Sequence, residues 1–257
     1  MITISMDPVA FYLGSIEVRW YGIIVAIAIL SLVLWMWRQI TVNKDRIPPI
    51  DPIIAVGAIA SGFGAAKLFH VIDLWDYYSQ NPVAVFSGAG LSVLGGIVGT
   101  SLFFWIYSRK KNYPFWFIAD LAAPGILLAQ AIGRAACPIN GCSYGTPTSL
   151  PWGFVYTHPN SFAPLGVALH PTAVYEIIFA MSLFGRLLKL RSRLKPDGSL
   201  FLLYLVAYSA WRLGDGFLRV GTPHLFGLTA AQYIAMAIFA ITLPWLVLKM
   251  RRAKTEA

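Results

Sequence analysis

Five cations occupy places where an apolar chain offers them no evident support: Arg19, Lys67, Arg134, Arg212 and Arg219, each at or near the end of a long hydrophobic stretch. An Arg at the centre of a membrane span costs about 2.5 to 3.5 kcal/mol, and less near an interface, so several together imply stabilising partners. Other polar residues accompany them: Tyr21, His70, Asp73, His170, Glu176 and Asp215, with the pair Gly95-Gly96. The guanidinium is a planar fork of donors that grips an oxyanion through two hydrogen bonds. Such a set is suited to holding an anion.

Hydropathy determines where these residues lie. Of 257 residues, 58% are hydrophobic and only 12% charged, too little polar surface to coat a soluble globule, so the bilayer is the expected solvent. A span needs about 20 mostly apolar residues. Such stretches occur at about 18–38, 52–72, 91–108, 115–133, 171–190, 199–217 and 229–249. The expected fold is an all-α polytopic membrane protein of seven transmembrane helices, with 1–257 forming a single membrane domain.

Lys and Arg give the orientation. They gather after the first stretch (Arg38, Lys44, Arg46), the third (Arg109, Lys110, Lys111), the fifth (Arg186, Lys189, Arg191, Arg193, Lys195) and the last (Lys249, Arg251, Arg252, Lys254). These are alternate connections, and the positive-inside rule names their side cytoplasmic, which puts the N-terminus outside and the C-terminus in the cytoplasm. The net charge of +9 is thus topological, and no nucleic-acid partner is expected. Charge order around the first stretch is opposite to that of a cleavable signal peptide, so it is expected to remain as an anchor. The outward connection 134–170 carries Pro138, Pro147, Pro151, Pro159 and Pro164 and is long enough for a small extracytoplasmic cap. A transporter built from paired broken helices is disfavoured, since Pro124-Gly125 has no counterpart in a second half.

With the spans in place, the unusual residues fall at one depth, in the outer leaflet. Surplus positive charge there suits an anionic lipid headgroup. Plainer readings stand beside this one. Arg19 and Arg219 also fit cations that snorkel to the interface, Lys67 and Asp73 fit a rim ion pair, and Asp120 fits a structural buried acid with a hydrogen-bond partner. His158 and His224 read as surface residues of outer loops.

The stretch Gly133-Arg134-Ala135-Ala136-Cys137-Pro138-Ile139-Asn140-Gly141-Cys142-Ser143-Tyr144-Gly145 resembles the signature G-R-x-G-N-F-x-N-x-E-x-x-G of the bacterial prolipoprotein diacylglyceryl transferases. Arg19-Trp20-Tyr21-Gly22, Lys67-Leu68-Phe69-His70-Val71, Gly95-Gly96, His170-Pro171-Thr172 with Tyr175-Glu176, Tyr208 with Arg212, and Leu228-Thr229 with Gln232 look like that family too, in order. The resemblance implies an inner-membrane enzyme that moves the diacylglyceryl group of phosphatidylglycerol onto the lipobox cysteine of prelipoproteins, releasing glycerol phosphate. Its partners would be phosphatidylglycerol and prelipoprotein signal peptides, with no cofactor and no metal. The alternative is a catalytically inactive member that binds anionic phospholipid or lipidated partners.

Within that frame Arg134 and Arg212 would stabilise the phosphate, and Asn140 would orient the headgroup. Tyr21 and Tyr208 would hydrogen-bond glycerol or phosphate oxygens, Arg219 and His170 would add to the lipid site, and Gly95 and Gly96 would permit close approach. Glu176, Asp215 or His170 would be the base that prepares the thiolate. The chain departs from the family pattern at Leu94, where His is frequent, at Cys137 and Cys142, which stand for its first signature Asn and its Glu, and at Gly216, where an acid is expected. The two cysteines admit a disulfide, a pair of buried free thiols, or a reactive thiolate beside Arg134.

Overall fold

The computed structural model describes residues 1–14, 16–47, 52–73, 75–86, 93–221 and 225–255. Strands β1 (Ile2–Ile4), β2 (Val9–Leu13) and β3 (Ile16–Arg19) lead into helix α1 (Trp20–Val42), followed by α2 (Pro52–Asp73), α3 (Trp75–Gln80) and α4 (Val93–Lys110). Then come α5 (Phe115–Arg134), the short α6 (Cys137–Asn140), strands β4 (Phe154–Tyr156) and β5 (Ala168–Leu169), and helices α7 (Thr172–Leu190), α8 (Ser199–Asp215) and α9 (Ala230–Thr255). A helix thus occupies each of the seven apolar stretches read from the sequence. The segments Trp20–Val42, Phe115–Asn140 and Ala231–Ala253 are long and apolar enough to cross a membrane. The first helix begins at Trp20 because the residues just before it pair as a hairpin, Val9 opposite Arg19 and Leu13 opposite Ile16. His224 lies outside the described residues.

The fold divides into two compact units, residues 1–39 with 116–257, and residues 40–115. In the first, Ala123, Leu127 and Ala131 of α5 meet Ala180, Leu183 and Leu187 of α7 and Leu200 and Tyr204 of α8 in one buried core. Alanines alternating with leucines let the helices approach closely while still filling the space between them. Gly125 serves the same end. Its missing Cβ leaves room for the Trp35 indole, whose Nε1–H donates to the Leu121 carbonyl at 2.9 Å.

The start of α8 has an unusual cap. Gly198 precedes it at φ +95°, a conformation that suits glycine and leaves the helix no capping side chain of its own. Asp120 of α5 supplies one, accepting from the backbone N–H of Gly198 at 2.6 Å and of Phe201 at 2.8 Å. At α9, Gln232 Oε1 reaches back to accept from the Thr229 N–H at 2.9 Å and from its hydroxyl at 3.0 Å, which is one half of a capping box. The connection from α5 to α7 folds onto the N-terminus: β1 runs parallel to β4, with Ile2 opposite Phe154, and β5 closes the sheet on the other side of β4.

In the second unit α2 and α4 pack through small residues. A Cβ at Gly99 would strike Ala65 and the Ser61 carbonyl, and Thr100 Oγ1 donates to the Ala58 carbonyl at 3.3 Å. This is the close, small-residue contact by which helices associate in lipid. Lys67 lies against Tyr78, its Nζ 3.5 Å from the hydroxyl.

Candidate functional site

Six of the sequence-predicted site residues converge in the first unit, at the end of α5, the start of α7, the end of α8 and the segment that follows it. Tyr208, Arg212 and Asp215 are spaced four and three residues apart on α8 and therefore share one face. Glu176, on α7, is 1% exposed and Asp215 4%. Carboxylates so deeply buried need partners, and here they are guanidiniums. Arg134 Nε lies 2.8 Å from Glu176 Oε2, with Arg219 at 3.8 Å and Arg212 at 3.9 Å from the same oxygen. Tyr208 donates to the other oxygen, Oε1, at 2.7 Å. Arg212 also pairs with Asp215 Oδ2 at 2.9 Å.

Three guanidiniums against two carboxylates leave one positive charge unbalanced. Burial, reinforced by the charges of Arg134 and Arg212, holds the Arg219 guanidinium below its ordinary value. Asp215 Oδ1 is buried without a hydrogen-bond partner among the described residues. Both acids stand beside the arginines.

Two further predicted residues line a cavity of about 620 Å³ together with Arg19, Cys142, Ser143 and Phe162: Asn140, from α6, and Tyr21, from the first turn of α1. Asn140 Oδ1 accepts from Arg19 at 3.5 Å, and the Arg19 guanidinium sits over the Phe162 ring at 4.6 Å. Arg19 is therefore packed against the segment between α5 and α7 as well as paired with Glu17 at 3.4 Å.

His170 is placed differently. Its ring lies 3.3 Å from the Tyr175 hydroxyl, which accepts from the Trp152 indole N–H at 2.8 Å, while its backbone pairs with Gly145 and Thr146. Gly95 and Gly96 belong to the second unit, where Gly96 faces the Gly62 carbonyl of α2. Cys137 and Cys142 are both free thiols, so the disulfide reading does not describe this structure. Cys142 is held above its ordinary value by its hydrogen bond to Cys137 and then by burial, which keeps it protonated. At Gly216 a side chain would collide with Gln232; the acid on this part of α8 is Asp215, turned toward Arg212.

Sequence reasoning missed Ser143. Its hydroxyl accepts from Arg134 at 3.3 Å and from Arg219, and its carbonyl accepts from Thr172 Oγ1 at 2.5 Å. A serine inside a Gly- and Cys-rich turn gives no charge or periodicity signal by which to find it.

Residues 8–248 match the family model described as prolipoprotein diacylglyceryl transferase. A phosphatidylglycerol-prolipoprotein diacylglyceryl transferase of Dehalococcoides mccartyi is 44% identical over 99% of this chain and 98% of its own length. Proteins of the same name from Trichormus variabilis and Clostridioides difficile are 34% and 35% identical, over 96% and 90% of this chain and 92% and 90% of theirs. The chain belongs to the prolipoprotein diacylglyceryl transferase family.

Proposed function

We propose that this protein transfers the diacylglyceryl group of phosphatidylglycerol to the lipobox cysteine of prelipoproteins, the first step of lipoprotein maturation. The observation that carries the reading is the buried group of Arg134, Arg212 and Arg219 around Glu176, one positive charge in excess. A phosphodiester carries the single negative charge that balances it. The lipobox sulfur, as thiolate, forms a bond to the terminal carbon of the diacylglyceryl group. The carbon–oxygen bond to phosphate breaks, its electron pair stays on the phosphate oxygen, and glycerol phosphate leaves. The arginines stabilise the charge that develops there. Glu176 Oε1 accepts from Tyr208 and Oε2 is ion-paired with Arg134, so Glu176 orients the guanidiniums, while Asp215 Oδ1, with no hydrogen-bond partner among the described residues, is the acceptor assigned to the thiol proton. That Asn140 and Tyr21 line the adjoining cavity supports a role for them in holding the glycerol headgroup.

The same reading assigns the protein to the bacterial cytoplasmic membrane as one multi-pass domain of seven spans, N-terminus outside. The alternation of Lys and Arg between connections supports it. Residues 134–170 form the extracytoplasmic cap in this arrangement, to which β1 contributes a strand.

The test is transfer of labelled diacylglyceryl to a lipobox peptide by the purified protein in detergent, with phosphatidylethanolamine as control donor. Transfer from phosphatidylglycerol alone is the expected result. A protein that binds phosphatidylglycerol and transfers nothing is instead a non-catalytic lipid-binding member of the family.

A further inference from the structure

The cavity and the arginine group meet at one residue. Ser143 lines the cavity, and its hydroxyl oxygen is the shared acceptor of Arg134 and Arg219. We propose that Ser143 is a positioning residue, which holds these two guanidiniums side by side at the edge of the cavity where the phosphate of the donor lipid is gripped. This rests on the function proposed above and names a further determinant of the same site.

The backbone makes the case. Ser143 has φ +59°, a left-handed conformation that glycine adopts freely and serine does not. Glycine would therefore meet the turn's backbone requirement with less strain, and the hydroxyl is what serine adds. Neighbouring segments fix where that hydroxyl lies. The Ser143 carbonyl is tied to Thr172, which is 1% exposed. On the other side Tyr144 and Thr146 bond the backbone that carries Arg219, through Val220 N–H to Tyr144 O at 3.3 Å and Thr146 N–H to Leu218 O at 2.8 Å.

Hydrogen-bond stoichiometry gives the consequence. A serine oxygen has two acceptor positions and one proton. Arg134 and Arg219 take both acceptor positions, so the proton is left to donate. The neighbouring Cys137 sulfur lies within hydrogen-bonding reach but is a weak acceptor. A phosphate oxygen entering the cavity is a stronger one and competes for that proton while the two guanidiniums stay in place.

Full-length protein in detergent would be compared as wild type, Ser143→Gly, Ser143→Asn and Thr172→Val, with phosphatidylglycerol as donor. Read out are kcat, KM, the Kd for phosphatidylglycerol from its thermal stabilisation, and the unfolding midpoint. For Ser143→Gly, KM and Kd should rise about tenfold and kcat should change less than about threefold. Its midpoint should not fall, because glycine relieves the positive φ. Asn tolerates that φ and offers a carbonyl acceptor, so Ser143→Asn should recover most of the affinity. Thr172→Val should shift KM the same way by less. Ser143→Gly with unchanged KM and Kd overturns the proposal. So does a loss of affinity that tracks a fall in midpoint and is not rescued by Asn. If wild type binds phosphatidylglycerol without transferring it, the proposed function fails, and the Kd values still decide the role of Ser143.

Discussion

Asp120, in the first turns of α5, and Arg134, in its last, lie about 21 Å apart along the helix at 1.5 Å per residue. Each brings a charge into the same helical unit. Asp120 meets two backbone N–H groups at the start of α8, and the positive end of that helix dipole answers it. Each of the two Asp120 oxygens has a donor. At the other end, Glu176 and Asp215 answer Arg134, Arg212 and Arg219 incompletely, leaving a cation in excess beside a cavity. The first arrangement is closed and serves stability. On the proposed function, the second is completed by the anionic headgroup of the donor lipid. Buried charge alone therefore does not mark a functional site; the balance of charge does.

Substitutions at the two ends should accordingly separate activity from stability. The largest effect is expected for Arg134→Ala, which removes the guanidinium nearest Glu176 and should lower transfer from phosphatidylglycerol by about 100-fold or more. Near-normal turnover in that variant would break the distinction. Next comes Asp215→Asn. It leaves the Arg212 contact largely in place and removes the proton acceptor, so kcat should fall about 100-fold while KM for the lipid holds. A rise in KM alone would make Asp215 a binding group. At the closed end, Asp120→Ala should cost about 2 kcal/mol of stability through the lost amide hydrogen bonds and leave kcat and KM within about twofold. A loss of activity at unchanged stability would contradict the purely structural reading.

The smallest effect concerns pH. The Val9 N–H and then the Asn160 amide hold the Asp7 carboxyl below its ordinary value of 3.8. A depressed folded value means that this contribution is fully present above the ordinary value and is lost as pH falls through the folded one. Asp7 is solvent-exposed, so the change should be local: limited proteolysis should cut the N-terminal strands faster at about pH 3 than at about pH 5, and Asp7→Asn should abolish that difference. Equal cutting rates in the wild type would remove Asp7 from the account.

The helices were the legible part, because a run of about 20 apolar residues commits itself locally. Charge interrupting such runs made Arg134, Arg212, Glu176 and Asp215 visible for the same reason. Their convergence follows from packing of α5, α7 and α8 through alanine and leucine faces. The strands were not legible: β1 has three residues, and its partner β4 begins at Phe154, so no local pattern announces the pair. Ser143 escaped because its part depends on a left-handed backbone and on side chains from two distant segments. Asp215 was visible as a charge, but its direction was not. The expected acid lies one position later, and only the Arg212 contact reveals which way Asp215 faces.

The pairing of β1 with β4 has a consequence in time. Ile2 bonds through its N–H to the Gly153 carbonyl at 2.8 Å, across about 150 residues that include four of the apolar helices. At about 5–20 residues per second a ribosome makes that stretch in several seconds at least. Until Phe154 has been made β1 has no partner strand, so this sheet closes only after α5 and the Asn140–Ser143 wall of the cavity are already in the chain.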